Sequence, residues 1–272
     1  MSNAFSIGAD YQRVSPGLAE HARAEGWCGP GGRFDFAERM IDVQRDAISF
    51  GRGRCARGTA RLGRAAGALT PAAMMSILRD HGEAGDADPA WTPADTVGRT
   101  ICMHAAQGAR RSQTVGSMVS ELDGAASIHW VTATSAPCLS LFKPVLLGAG
   151  LPAQGVTPSD RYDAESLWWT HERLHRAALD DFAAALAVVA PERARLEQAF
   201  IDQVDTARRA DDPVALRTVI ADCWRQAAQT EARWLGQIAT SAKTGKTAHP
   251  APAGFRKSWA RLNHVAGLPR AV

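Results

Sequence analysis

The chain has 272 residues, 46% hydrophobic and 22% charged, a composition that excludes a disordered or collagen-like protein. The formal net charge is +3, and the arginines are spread among alanines and glycines without interleaved aromatic residues, which argues against a nucleic-acid partner. The sequence has no apolar run long enough to cross a membrane, and its five cysteines include no CxxC pair. We therefore expect a cytoplasmic protein with reduced thiols and no membrane partner.

The first part of the chain predicts a short strand and then several short helices. Thr70 and Pro71 are typical of a helix start, because a threonine side chain caps free backbone amides and proline lacks the amide that has no partner there. The predicted elements are a strand from Asn3 to Gly8 and helices from Pro16 to Ala24, Asp35 to Ala47, Cys55 to Ala66 and Thr70 to His81.

Between Arg99 and Leu147 the sequence is rich in Val, Thr, Ile and Trp, residues that favour strands. Asp123-Gly124 is a typical hairpin turn, and Pro144 favours a sheet edge because it cannot donate a ladder hydrogen bond. The segment therefore predicts an antiparallel meander. Its predicted strands are 100–105, 114–122, 128–134 and 138–147.

Cys102 and His104 lie two residues apart on the first of these strands, so their side chains are predicted to share one face of the sheet. Such a pair could couple a nucleophilic thiol to a base. A buried structural cysteine is the other interpretation of Cys102. His104 is predicted to line a cleft, where it would be a substrate-binding residue.

After a Gly- and Pro-rich connection, apolar residues recur at helical spacing over most of the remaining sequence. The pattern predicts one helix from Leu167 to Val189, a second that begins at Pro191, and a third that begins at Asp212-Pro213. These helices should pack antiparallel on each other or on the sheet. A last amphipathic segment is predicted around Trp259 within an otherwise irregular tail.

The sequence HERLH, from His171 to His175, matches the HExxH pattern on a predicted helix. Two histidines at this spacing share a helix face and could hold Zn²⁺, while Glu172 could deprotonate a metal-bound water. Against a zinc peptidase, charged Arg173 and Arg176 stand at positions that are usually uncharged in such helices. The other interpretation is a packed helix in which Glu172 pairs with Arg176.

Six strings follow one another between Asn3 and about Arg176: SNAFSIGADY, SPGLAEHARAEGW, ICMHA, QTVGSMVSEL, HWVTATSAPCLSLFKPV and ESLWWTHERLHR. Together they resemble the secernins and the related cysteine dipeptidases of the N-terminal-nucleophile hydrolase superfamily. The resemblance also accounts for HExxH as part of a family helix with no known metal.

The resemblance implies an α+β protein with an incomplete four-layer αββα fold, in which two antiparallel sheets face each other between helical layers, and a helical C-terminal region. The implied organisation is a hydrolase portion at residues 1–149, a connection at 150–162, a helical region at 163–241 and a tail at 242–272. The nucleophile strands of the family would be missing from the first of these.

In the superfamily an N-terminal cysteine attacks an amide carbonyl, and its own α-amine, whose pKa is ordinarily about 7.7–8.0, is suited to act as the base. By this resemblance Asn3 corresponds to the family's oxyanion-hole asparagine. Arg54 corresponds to the arginine that would stabilise the thiolate, although Arg52 and Arg57 compete for that role.

The sequence departs from the family in one respect: no cysteine stands near position 1, and Cys28 is the first. We therefore expect the C-terminal portion of a dipeptidase that is inactive alone and acts on short peptides when completed by its N-terminal part. No cofactor or metal is expected, and a homo-oligomer or a missing complementary chain would both fit. The alternatives are a non-catalytic interaction protein and a zinc peptidase that uses His171, Glu172 and His175.

Overall fold

The structure of the chain is a computed structural model that describes residues 4–28, 32–88, 91–95, 99–105, 112–123, 127–152, 155–243 and 249–269. It is a mixed α+β protein, 55% helical, with one small antiparallel sheet of three strands in the described part. The chain divides into two compact units, residues 1–60 and 61–272. Among the described helices, none has the combination of length and hydropathy that crossing a membrane requires.

The first unit contains short helices and a small aromatic cluster. Phe34 is buried at the centre of this cluster, with its ring 5.8 Å from the rings of both Tyr11 and Trp27 and 6.5 Å from that of Phe36. The helices are α1 (Leu18–Ala24), α2 (Phe36–Met40), α3 (Val43–Ser49) and α4 (Gly51–Arg64), the last of which runs into the second unit.

Two predictions for this unit are wrong. Residues 4–8 form no strand, because the carbonyls of Ile7 and Gly8 accept hydrogen bonds from the first amides of α2 instead of from a neighbouring strand. The helix predicted from Asp35 to Ala47 is two helices, since Asp42 caps a new start by accepting a hydrogen bond from the Arg45 amide.

The second unit begins with the end of α4 and with α5 (Pro71–Leu78), whose predicted start is confirmed. The Thr70 side chain accepts a hydrogen bond from the Ala73 amide, and Pro71 occupies the first turn. Helix α6 (Gly82–Ala87) and a 3-10 turn (Pro93–Asp95) follow.

The predicted antiparallel meander is confirmed, with shorter strands than expected. Strands β1 (Met118–Glu121), β2 (Ile128–Val131) and β3 (Lys143–Leu146) pair in chain order. Trp130 of β2 lies opposite Val119 on one side and opposite Pro144 on the other. Pro144 is therefore on an edge strand of the described sheet, as its missing amide predicted.

The first predicted strand, 100–105, is irregular instead. Its backbone bonds in two directions, with the Cys102 amide donating to the Asp80 carbonyl and the Met103 carbonyl accepting from the Thr114 amide. A segment that is held by isolated bonds to two different partners cannot form a regular ladder.

Four helices complete the second unit: α7 (Leu167–Ala178), α8 (Phe182–Arg209), α9 (Pro213–Lys243) and α10 (Ala253–Ala266). The helix predicted from Leu167 to Val189 breaks before Asp181, which caps α8 by accepting from the Ala184 amide. Pro191 does not start a helix, but lies inside α8. The buried positions of Val189 and Leu196 on either side keep α8 continuous, although an internal proline costs about 3 kcal/mol.

The main core lies between the sheet and helices α7, α8 and α9. Its largest fully buried side chains include Trp130, Phe142, Phe200 and Trp234. The Trp224 ring nitrogen donates to the Pro144 carbonyl at 2.8 Å, which joins α9 to the edge strand. Helix α7, which carries the HERLH sequence, packs on α8 and α9, and these two helices contact β3.

Candidate functional site

Two thiols and two imidazoles meet inside the second unit: those of His81, Cys102, His104 and Cys138. We refer to these four residues as the Cys–His cluster. Their sulfur and ring nitrogen atoms all lie within 4.8 Å of one another, and every member is buried, His81 being the most exposed at 6%. Both cysteines are free thiols.

The Nε2 atom of His104 lies at the centre of the cluster. It is 3.2 Å from Nε2 of His81, 3.6 Å from Sγ of Cys102 and 3.4 Å from Sγ of Cys138. The three neighbours approach one ring nitrogen, which carries either one proton or one lone pair.

Irregular backbone positions the four residues. His81 lies in the link between α5 and α6. A hydrogen bond of 3.0 Å from the Cys102 amide to the Asp80 carbonyl brings the 99–105 segment beside this link. Cys138 lies in the turn that precedes β3. Ala136, at the start of this turn, has a φ of 50°.

Two arginines fix the turn that carries Cys138. Arg79 donates from Nε to the Pro137 carbonyl at 2.8 Å and from Nη2 to the Ser140 carbonyl at 3.1 Å. Arg193 donates to the carbonyl of Cys138 itself. Since Arg79 caps α5 and Arg193 lies on α8, the turn is held from two helices at once.

Aromatic side chains close the cluster on one side. The Trp91 ring stacks on His81 with centroids 4.6 Å apart, and the Phe182 ring meets His104 edge-on at 5.1 Å. A cavity of about 450 Å³ lies on another side of the cluster and is lined by His81 and Cys138. Its charged lining residues belong to α4, to α8 and to the α5–α6 link: Arg61, Arg79, Asp80, Arg193 and Glu197.

Burial sets the ionisation of the cluster. It raises the pKa of Cys102 well above its ordinary value and lowers that of His104, because a charged form is poorly solvated in the core. Burial alone would also raise the pKa of Cys138. The hydrogen bond from Cys102 and the neighbouring imidazoles outweigh burial and hold the pKa of Cys138 well below its ordinary value. Of the two thiols, Cys138 is therefore the one whose ionised form the surroundings favour.

The HERLH helix reaches the cluster through His175, whose ring lies 5.7 Å from that of His104. Glu172 accepts hydrogen bonds from Ser135, from Arg176 at 2.8 Å and from Nδ1 of His175 at 3.2 Å. Although burial alone would raise the pKa of Glu172, these partners lower it. The pairing of Glu172 with Arg176, one of the two interpretations of HERLH, is thus observed.

The other histidine of the motif has its own carboxylate. Nδ1 of His171 lies 2.9 Å from Oε2 of Glu231, whose other oxygen accepts from the Leu141 amide at 3.2 Å. Burial would raise the pKa of Glu231, but His171 and Lys143 lower it to about 2. Glu197 accepts a hydrogen bond from the next amide along the chain, that of Phe142, at 2.7 Å.

The Nε2 atoms of His171 and His175 are buried and have no hydrogen-bond partner among the described residues. Each histidine is therefore held by a carboxylate at Nδ1, and its second nitrogen is buried. That arrangement orients both rings, since the bonded nitrogen fixes the tautomer.

The predicted site residues fall in different places. Asn3 lies outside the described residues. Arg54 is buried in the first unit and donates to the Ser49 carbonyl at 2.7 Å, whereas the competing Arg52 is exposed and pairs with Asp46 at 2.6 Å. His104 is in the Cys–His cluster with 1% of its surface exposed.

Sequence reasoning paired Cys102 with His104 and missed the other two members of the cluster. His81 had been placed at the end of a predicted helix and Cys138 in a predicted strand, and neither position carries a motif. Cys138 stands in a largely apolar string, but His81 follows Arg79 and Asp80, so no shared sequence signal marks the two residues as members of one cluster.

No protein-family model matches this sequence. The likeness to cysteine dipeptidases consequently depends on the quoted strings and on where the fold brings them.

Proposed function

We propose that this chain is the C-terminal portion of a secernin-like cysteine dipeptidase, which hydrolyses short peptides by acyl transfer through a thioester. The observation that carries the proposal is the convergence of three of the quoted strings at one place. ICMHA supplies Cys102 and His104, SAPC supplies Ser135 and Cys138, and HERLHR supplies Glu172, His175 and Arg176.

The convergence is direct. Cys138 contacts His104 at 3.4 Å, the Ser135 hydroxyl donates to Glu172, and the ring of His175 lies beside that of His104. The three strings lie together around one buried polar site of the second unit. Strings that reflect a common fold are expected to do so, because they surround the same part of the core.

The arrangement of the sheet and the helices is compatible with the proposal. One antiparallel sheet covered by long helices is what half of a four-layer αββα arrangement would contain, and α9 packs on edge strand β3. We propose that the complete protein has the second sheet and the strand that carries the nucleophile.

In the proposed reaction the nucleophile is an N-terminal cysteine thiolate outside the present sequence, and its α-amine takes up the proton of the thiol. Attack on the peptide carbonyl gives a tetrahedral oxyanion, to which the Asn3 amide would donate. Arg54 would stabilise the thiolate. Because His104 is buried, we do not expect it to touch the peptide.

The contacts of Glu172 weigh against the zinc peptidase. A general base of that class must face a metal-bound water, but both oxygens of Glu172 are engaged by Ser135, Arg176 and His175. In addition, the described residues place no third ligand with His171 and His175.

The experiment compares dipeptide hydrolysis by the 272-residue chain with hydrolysis by the same chain extended by its upstream coding sequence. We expect the extended protein to be active and alkylation-sensitive and to lose activity when its N-terminal cysteine is replaced by alanine. The 272-residue chain should be inactive. Alkylation-sensitive turnover by the short chain would refute the proposal, and an upstream sequence without such a cysteine would favour a non-catalytic interaction protein.

A further inference from the structure

We propose that the Cys–His cluster binds one divalent metal ion of the zinc type and that this ion ties together three irregular segments of the second unit. The ligands would be Nε2 of His81 and His104 and Sγ of Cys102 and Cys138. Two thiolates and two imidazoles are a donor set that selects zinc over the hard cations calcium and magnesium.

The crowding around His104 is the first argument. Its Nε2 atom has three polar neighbours at 3.2, 3.6 and 3.4 Å, and a hydrogen bond through one proton or one lone pair accounts for only one of them. A cation at the centre of the cluster accounts for all three, since each neighbour would then direct a lone pair to the same point.

The distances themselves are the second argument. With metal–nitrogen bonds of about 2.0–2.1 Å and metal–sulfur bonds of about 2.3 Å, a tetrahedral site has nitrogen–nitrogen edges of about 3.4 Å and nitrogen–sulfur edges of about 3.6 Å. The observed separations are 3.2 Å between the two imidazole nitrogens and 3.6 and 3.4 Å from nitrogen to the two sulfurs. All three match the edges of such a tetrahedron to within about 0.2 Å.

The surroundings suit a closed structural site. A divalent ion with two thiolates and two neutral imidazoles has no net charge, so it can lie against the apolar rings of Trp91 and Phe182. Four protein ligands complete the tetrahedron and leave no position for a substrate or water. The proposed role is therefore structural and separate from peptide hydrolysis.

The ligands come from parts of the chain that regular structure does not join. His81 lies between two short helices, Cys102 and His104 lie in an irregular segment, and Cys138 lies in a turn. The ion would link these three segments, and the free energy of binding would add to the free energy of folding.

The test begins with the metal content of the untagged 272-residue chain, purified without chelators and measured by mass spectrometry of the elements. We expect about one zinc ion per chain, as for a four-ligand structural site. Replacement by Co²⁺ should give the visible bands of tetrahedral cobalt and an ultraviolet thiolate-to-cobalt band.

Four variants locate the ion. Cys102→Ser and Cys138→Ser should weaken the thiolate-to-cobalt band. Each should lower metal affinity by more than about 10- to 100-fold, which is the loss expected when only a residue that hydrogen-bonds to a metal ligand is replaced. Cys223→Ser is the matched control, because Cys223 is also a buried cysteine but lies on α9 away from the cluster. Cys223→Ser should keep the metal. His171→Gln should keep it as well, whereas an HExxH site would lose it.

Wild-type protein that is folded by circular dichroism but takes up neither zinc nor cobalt would overturn the proposal. So would metal that is retained in Cys138→Ser, or a disulfide between Cys102 and Cys138 in protein purified under reducing conditions. If the cysteine variants do not fold, the thiolate-to-cobalt band of the wild type decides. None of these measurements uses dipeptidase activity, so their failure would leave the proposed function standing.

Discussion

Sγ of Cys138 lies 3.4 Å from Nε2 of His104, although the two residues are 34 positions apart in the sequence. This contact joins the ICMHA string to the SAPC string and brings a buried thiol beside a buried imidazole. The arrangement has the donors of a metal site, and the rings of Trp91 and Phe182 cover it on one side.

Replacing Glu172 should destabilise the second unit strongly. Glu172→Gln removes a buried charge from between Arg176 and His175 and leaves the arginine without its carboxylate, which costs about 3–5 kcal/mol of unfolding free energy. Urea unfolding followed by tryptophan fluorescence measures this.

The matched control is Asp222→Asn, which breaks an exposed pair with Arg225 and should cost no more than about 1 kcal/mol. Equal effects of the two variants would show that Glu172 is not in a buried ion pair.

Acid should weaken the second unit through Glu231. Its pKa falls from an ordinary value of 4.5 to about 2 in the folded protein, so it stabilises the fold fully above pH 4.5 and loses that contribution as the pH falls toward 2. The lowered pKa of Glu172 acts in the same sense.

Thermal unfolding between pH 7 and pH 3 should therefore show a steep fall in midpoint below pH 4.5. In Glu231→Gln the unfolding midpoint at neutral pH should be lower than in the wild type. Below pH 4.5 its midpoint should fall less steeply with pH, because one of the groups that titrate is gone. An unchanged slope would contradict the assignment.

The five thiols should differ in reactivity. Cys28 and Cys55 are half-buried, whereas Cys102, Cys138 and Cys223 are buried, and burial raises the pKa of Cys223 to about 12. A thiol reagent should thus modify two cysteines quickly in the native chain and all five after denaturation. Rapid native modification of Cys138 would show that the cluster is open to solvent.

Pro191 offers a test of the continuous helix α8. Since proline removes a hydrogen bond from a helix interior, Pro191→Ala should raise the unfolding free energy, by up to about 3 kcal/mol. Pro71→Ala, at the first turn of α5 where proline removes no bond, should have little effect or a small destabilising one. A loss of stability in Pro191→Ala would indicate that a helix starts there.

The roles of Arg54 and Arg52 can be separated in the extended protein that we propose to be a dipeptidase. Arg54 is buried and Arg52 exposed, so only Arg54→Ala should lower dipeptidase turnover, by about 10²-fold or more if it stabilises the charged nucleophile. Asn3→Ala should cost about 10²- to 10³-fold by removing an oxyanion donor. Full activity in both variants would refute these two roles.

Much of the fold follows from local patterns. The capped start at Thr70, the three paired strands, the edge position of Pro144 and the helix around Trp259 were all predicted, because capping, alternation and helical periodicity act over a few residues. The errors occurred where longer-range forces prevail: α8 continues through Pro191 because its flanks are buried, and 100–105 bonds to two separate segments.

The sequence by itself determined the mixed α+β character, the meander and the helical C-terminal region, and it offered the pairing of Glu172 with Arg176 as one of two interpretations; each of these depends on residues near one another in the chain. Only the tertiary structure decided that His81 and Cys138 join Cys102 and His104. No local pattern encodes that meeting, since it results from how α5, the sheet and α8 pack around a shared core.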